Sequence, residues 1–389
     1  MYNWPLINDN ITHEDRKILS EFVLSTDRFT NGPMVKEFEK AWSSWLGVKH
    51  TVFVNSGASA NFIMTAILKE KMGNGEVIVP PIGWVSDIAP VVQLGMTPVF
   101  VDVCYENMAI TYENIKNAIT DRTVGVVLVH ALGFNGINKK IIELCKKKGI
   151  MLIEDCCESH GAKLGNIKIG NLGDMSNFSF YFGHHMTTIE GGVVCTNSDE
   201  LYDYAKLFRS HGMTRECSTS LKEKYLKNYP DLNPLFTFAV PGYNMRNTEI
   251  NAVLGLNQIK RLDSNIKIRS TNLRTWLTAL DENKYFTNFD ITGSSNFSLP
   301  LILKDKDKIM FLKIQDILKD EKVEFRVGTA GGGNQERQPY LQEGKYQYRK
   351  VGLLDKANHI HDYGLYIGNH IEVSGTMIKK ICEKINNVK

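Results

Sequence analysis

Charge of one sign is missing from this chain. Its 389 residues carry 46 lysines and arginines against 43 aspartates and glutamates, a formal net charge of +3. No basic excess marks a nucleic-acid or anionic-membrane partner. Long apolar runs are missing too: none approaches the ~20 residues that span a bilayer. The opening MYNWPLINDNITHEDRK has neither the basic cap nor the apolar core of a signal peptide. Cysteines number seven. An odd count without dense spacing fits reduced thiols and a cytoplasmic location rather than a disulfide framework. Internal repeats and low-complexity linkers are lacking. Lysine itself is absent from one long stretch, between Lys168 and Lys206.

What remains is the composition of an ordinary globular protein, long enough for a large and a smaller sub-domain. Thr12-His13-Glu14-Asp15 reads as a capped helix start, and residues 34–46 space their apolar side chains helically. A β-α-β rhythm follows. Strands are predicted at 50–54, 77–79, 98–103, 123–129 and 149–154, and two more at 177–182 and 192–196. Helices are predicted at 58–71, 84–94 and 137–148, with another between 103 and 123. This alternation implies an α/β fold with a mostly parallel sheet covered by helices on both faces. After residue 248 the rhythm changes to a long helix over 249–280, a strand over 296–303, a helix over 308–318 and a glycine-rich loop at 327–333. We expect a large domain at 1–248 and a smaller α+β domain at 249–389. The final lysine-rich helix, 377–389, reads as a solvated face.

Three junctions carry candidate chemistry. Asn55-Ser56-Gly57-Ala58-Ser59-Ala60-Asn61 joins a strand to a helix. Small residues there let backbone N–H groups at a helix start approach a phosphate. The same composition also suits an ordinary β-α turn. Asp155 ends an apolar strand, where ligands of open sheets gather. It suits a pyridine-nitrogen partner, or equally a turn cap. Trp84, after Pro80-Pro81-Ile82-Gly83, offers either a stacking face or a half-buried core ring.

Taken together with Ser179, five residues before His184, these elements appear in the order of a known family. The chain resembles the DegT/DnrJ/EryC1/StrS aminotransferases, fold-type I enzymes dependent on pyridoxal 5'-phosphate (PLP), over nearly its whole length. Arg28-Phe29-Thr30-Asn31-Gly32-Pro33, Glu154-Asp155-Cys156-Cys157-Glu158-Ser159-His160-Gly161 and Gly242-Tyr243-Asn244-Met245-Arg246-Asn247-Thr248-Glu249-Ile250 support the resemblance. It implies phosphate binding by Gly57, Ala58 and Ser179, ring stacking by Trp84, and a ring-nitrogen contact from Asp155. Glu158 would lie close to the cofactor. Asn244 would reach a phosphate in a neighbouring subunit, which implies a homodimer with shared sites.

The family's lysine falls in Phe178-Ser179-Phe180-Tyr181-Phe182-Gly183-His184-His185, and His184 stands at its position. The resemblance then implies dehydration rather than amination. Pyridoxamine 5'-phosphate (PMP) would be held non-covalently and the C3 hydroxyl of a nucleotide-linked 4-keto-6-deoxy sugar removed. His184 would move the protons and L-glutamate would regenerate PMP. The expected product is a 4-keto-3,6-dideoxy sugar of the colitose type, from a GDP-linked substrate. A related branch acts on a CDP-linked sugar with an iron–sulfur cluster held by grouped cysteines. Here Cys217 precedes Ser218-Thr219-Ser220 and no Cys-x-Cys occurs, so no cluster and no other metal is expected. An aminotransferase-like enzyme without the lysine, the CDP-linked dehydration, and a non-catalytic binding protein are the rival readings. His211, in Ser210-His211-Gly212, and Arg326 are candidate substrate contacts; each also reads as a turn or surface residue.

Overall fold

The computed structural model describes residues 2–8, 10–328 and 331–389, so positions 329 and 330 of the expected glycine-rich loop lie outside the described residues. Eight strands form one large sheet. Their spatial order is His50–Val54, Gly192–Thr196, Met175–Ser179, Met151–Asp155, Thr123–Val129, Glu76–Val79, Thr97–Val101 and Arg349–Val351. Gly192–Thr196 runs antiparallel to both neighbours, and every other adjoining pair is parallel. Every residue of Glu76–Val79, Met175–Ser179 and Gly192–Thr196 is buried. Both faces of the sheet are therefore covered, which is why its strands read as apolar runs. A second, antiparallel sheet of Ser298–Ile302, Gly364–Gly368 and Phe325–Val327 belongs to the later part of the chain. This is the expected α/β architecture with a smaller α+β unit.

Three expectations need correction. The helix expected at 84–94 is a single turn at Val85–Asp87 followed by a short helix, Ala89–Gln93. Pro90 cannot donate a backbone hydrogen bond to the preceding turn, so one continuous helix cannot form. The helix expected at 249–280 is Glu249–Gln258 and Leu262–Ala279, joined by a tighter turn at Ile259–Arg261. The last helix, Gly375–Asn386, is not a solvated face throughout, because Ile378, Ile381, Cys382 and Ile385 are buried. Their i, i+3, i+4, i+7 spacing makes one apolar stripe.

The early helix Pro33–Leu46 shows how local sequence serves the centre. Pro33 sits where a missing N–H costs nothing, and Gly47 ends the helix with φ 86°. Val35, Phe38, Trp42 and Leu46 all face inward. The Phe38 ring meets Phe53 at 4.7 Å, and Trp42 meets Phe178 at 5.1 Å and Phe180 at 4.7 Å, all edge-on. Such pairs add about 0.5–1.5 kcal/mol each beyond area burial. They clamp the strand Met175–Ser179 immediately before the His184 loop.

Glu154 organises the opposite side. Its buried carboxylate accepts hydrogen bonds from the N–H groups of Gly170 (3.0 Å), Leu172 (2.9 Å) and Gly173 (2.7 Å), and His130 Nε2 lies 3.3 Å away. Burial raises the proton affinity of this carboxyl, but the His130 contact and the N–H groups outweigh it and hold it ionised. Glu154→Ala leaves these donors without an acceptor. It is expected to cost about 3–5 kcal/mol of stability, read as a lowered urea midpoint at unchanged slope.

Candidate active site

A cavity of about 290 Å³ opens where the large sheet's strands end. Gly57, Ala58, Trp84, Asp155, Glu158, Ser179, His184 and Arg326, all singled out from the sequence, line it together. The first seven follow four different strands at their carboxyl ends, where an open sheet splays to admit a ligand. Arg326 comes from the second sheet, where it pairs in register with Tyr366, another lining residue.

One end of the cavity is a small-residue cradle. Ser56 caps the helix Gly57–Met72, its hydroxyl accepting from the Ser59 N–H at 3.0 Å. A Cβ on Gly57 would lie 2.7 Å from Ser179 Cβ and 3.1 Å from Cys157 Sγ, so no larger residue fits. Gly192 is equally required, because its Cβ would meet the Ser56 carbonyl oxygen at 2.4 Å. The helix start therefore keeps its positive end open to an anion. Trp84 stands above the opening with 52% of its surface exposed, so its ring is available to stack.

The floor holds two carboxyls. Asp155 Oδ1 accepts the Cys157 N–H at 2.9 Å, and Oδ2 accepts Asn61 Nδ2 at 2.7 Å and Asn177 Nδ2 at 3.2 Å. Burial works against its charge, but contacts from Asp87, Cys157 and Asn61 prevail and hold it below the usual carboxylate range. Asp87 was not singled out from the sequence. Burial pushes its carboxyl well up, and the neighbouring Asp155 charge adds to the shift.

The two histidines part company. His184 lines the cavity, whereas His185 is buried behind it, its Nε2 3.1 Å from the Ser295 carbonyl oxygen. Arg269 Nη2 donates to the His184 carbonyl at 3.3 Å and fixes the loop. Burial lowers the His184 pKa to about 4, with Arg269 adding to the shift and Asp155 opposing it. The imidazole is therefore neutral at pH 7 and able to accept a proton.

Glu158 accepts the Leu132 N–H at 2.7 Å. Its pKa is raised to about 7, first by burial and then by the Asp155 charge, with the Leu132 N–H and Arg326 opposing. A raised carboxyl pKa means the folded protein holds this proton more tightly than the unfolded chain. Glu158 thus lowers stability as pH climbs from about 4.5 through 7. Glu158→Gln, which mimics the protonated acid, should match the parent Tm at pH 5 and exceed it at pH 8. Equal Tm values at both pH values would refute the assignment.

Two expected residues lie elsewhere. His211 and Asn244 do not line this cavity; both are exposed. They sit on neighbouring backbone, with the His211 N–H bonded to the Tyr243 carbonyl at 2.7 Å. His211 takes a left-handed φ of 59°, so backbone geometry as well as chemistry bears on that position. Sequence reasoning also missed Phe297 and Tyr366, which line the cavity from beyond residue 248.

A sequence profile of the DegT/DnrJ/EryC1/StrS aminotransferases matches residues 10–386. The chain belongs to that family. Among its DegT/DnrJ/EryC1/StrS relatives, GDP-4-keto-6-deoxy-D-mannose 3-dehydratase of Yersinia pseudotuberculosis is 32% identical over 378 residues, covering 95% of each chain. The enzyme of the same name from Escherichia coli O55:H7 is 31% identical, over 95% of this chain and 96% of that one. The lipopolysaccharide biosynthesis protein RfbH of Salmonella typhimurium is 31% identical over 89% of this chain and 81% of its own. Among solved structures, the E. coli GDP-4-keto-6-deoxy-D-mannose-3-dehydratase with bound hydrated PLP superposes with a TM-score of 0.90 at 29% identity, over 99% of this chain and 100% of that one.

Proposed function

We propose that this protein removes the C3 hydroxyl of GDP-4-keto-6-deoxy-D-mannose in a PMP-dependent reaction, with L-glutamate restoring PMP. One observation carries the reading: an imidazole, not an amine, lines the cavity that also holds Asp155 and the small-residue cradle. Those residues fit the cofactor on their own chemistry. The cradle at Gly57 admits a phosphate, a buried carboxylate waits for a protonated ring nitrogen, and Trp84 offers a flat apolar face. When bound, the cofactor supplies the electron sink that lets a C–O bond break next to a masked ketone.

The chain's residues do the rest. Gly57, Ala58 and Ser179 hold the phosphate, and Asp155 keeps the ring nitrogen protonated. Glu158 lies close to the cofactor. His184 takes a proton from the cofactor's C4′ carbon and delivers one to the departing hydroxyl. An imidazole moves protons without capturing the aldehyde, as a lysine would. Arg326 contacts the nucleotide sugar, and His211, which lies beside Asn244 and away from this chain's own cavity, would reach the sugar only in the partner's site. Related solved structures contain a PLP–glutamate adduct and GDP-perosamine in dehydratases of the same name.

The working unit is a homodimer with shared sites, in which Asn244 serves the partner's phosphate. Exposed Tyr229, Leu235, Phe236, Phe238 and Tyr243 on the segment leading to Asn244 support this, because monomers seldom leave so many apolar side chains together in water. The chain divides at 248/249: the second sheet, Ser298–Ile302, Gly364–Gly368 and Phe325–Val327, comes wholly from beyond that point and supports the division, while Arg349–Val351 returns to the large sheet. The protein acts in the cytoplasm, a placement supported by seven unpaired cysteines. Among the described residues, no helix is long and apolar enough to cross a membrane.

Incubation with GDP-4-keto-6-deoxy-D-mannose, PLP and glutamate tests the reading. A C3 methylene in the product's NMR spectrum together with free ammonia is expected. An amino sugar, or preference for the CDP-linked 4-keto sugar, contradicts it.

A further inference from the structure

The floor of the cavity carries one more acid than the proposed reaction uses. Asp87 ends the turn Val85–Asp87, and both its oxygens are engaged. Oδ2 accepts the Trp84 N–H at 2.8 Å and Oδ1 accepts Asn61 Nδ2 at 3.1 Å. The same amide nitrogen lies 2.7 Å from Asp155 Oδ2, so the two carboxyls converge on a single NH₂ group. Both are buried, Asp87 at 3% exposure and Asp155 at 5%. The protein donors that meet the pair (Asn61, Asn177 and the N–H groups of Trp84 and Cys157) are all neutral, and the one cation a bound cofactor would add, its protonated ring nitrogen, balances a single carboxylate. Two adjacent buried carboxylates so served cannot both stay ionised, and the pair retains one proton. Asp155 has three neutral donors to Asp87's two and is the better stabilised anion. Burial and the charge of Asp155 act in the same sense on Asp87.

We propose that Asp87 is a positioning residue: a neutral carboxylic acid that donates its proton to Asp155 while its other contacts fix the backbone of Trp84. This rests on the reading of Asp155 as the ring-nitrogen partner. One side chain then ties together the two groups that set the cofactor ring, the carboxylate at its nitrogen and the indole at its face. There is little slack in the link. A Cβ on Gly83 would lie 2.6 Å from Asp87 Oδ2, so the chain before Trp84 passes tightly over the acid. With the donor gone, Asp155 becomes a stronger base and draws the ring proton towards itself.

Infrared spectroscopy of the PLP-loaded protein tests this directly. Wild type should show a protonated-carboxyl C=O band at about pH 8, far above an ordinary aspartate pKa, and Asp87→Asn should lack it. Asn at this position keeps a neutral donor and an acceptor for Trp84. Its turnover should therefore fall by no more than about threefold, against at least about thirtyfold for Asp87→Leu. The ¹⁵N resonance of the cofactor ring should move towards the neutral form in Asp87→Leu only. Absence of the band in wild type overturns the proposal, as does an Asp87→Asn variant as impaired as Asp87→Leu. If the leucine variant does not fold, the wild-type band and its loss in Asp87→Asn decide alone. The band needs no substrate. Its presence in a protein that fails to dehydrate would sink the functional reading and leave Asp87's role standing.

Discussion

His184→Lys is expected to turn a non-covalent PLP complex into an internal aldimine that sodium borohydride reduces to a stable protein-bound adduct. Mass spectrometry should place that adduct on position 184. Dehydration should fall by about 10²–10⁴-fold, the usual contribution of a positioned acid–base group. The physical reason lies in the cavity. His184 is a nitrogen base in its wall, neutral at pH 7 because burial holds its pKa near 4. An amine at the same place becomes a nucleophile towards the cofactor's aldehyde and competes with the sugar for the reactive carbon. A His184→Lys protein that dehydrates at the parent rate would remove the histidine from the mechanism.

Asp155→Asn should be almost as damaging. The amide keeps the shape and an acceptor for the Cys157 N–H, yet it cannot balance a protonated ring nitrogen. Removing one partner of a buried charged pair costs about 3–5 kcal/mol, which corresponds to roughly 10²–10⁴-fold in turnover. The variant should still bind cofactor phosphate, because the Gly57 cradle is untouched. Its ring ¹⁵N resonance should sit at the neutral value at pH 7. Loss of binding with unchanged ring protonation would show instead that Asp155 acts only as a strut.

Much of this was legible in the chain itself, for identifiable reasons. Residues 50–54, 123–129 and 192–196 are strands at the expected limits, because strands covered on both faces of a sheet need near-continuous apolar runs. Asp155, Ser179 and Trp84 lie at strand ends, which is where sequence periodicity switches and chemistry concentrates. The edge strand Arg349–Val351 escaped, since two of its three residues are charged and periodicity says nothing about it. The break at Ile259–Arg261 escaped because the apolar spacing runs on through it.

The missed site residues tell a similar story. Asp87 carried a weak signal, an acid in an otherwise apolar run three residues after the candidate stacking tryptophan. Its meaning depends on Asp155, which is distant in sequence and adjacent only in the fold. Phe297 and Tyr366 come from the second sheet, and no local pattern ties them to the first. Asn244 and His211 illustrate the converse. Their motif was readable, yet a single chain leaves them exposed and away from the cavity. On the proposed homodimer, a charged substitution at exposed Phe236 that leaves the protein monomeric should abolish activity without disturbing the His184 cavity.

The most direct measurement is a crystal structure with PMP bound. A His184 ring nitrogen should lie within about 3.5 Å of the cofactor's C4′ carbon, with Asp155 at the ring nitrogen and no covalent bond to the protein. A ring turned away from that carbon, or a lysine from elsewhere in the chain joined to the PLP form, would contradict the account.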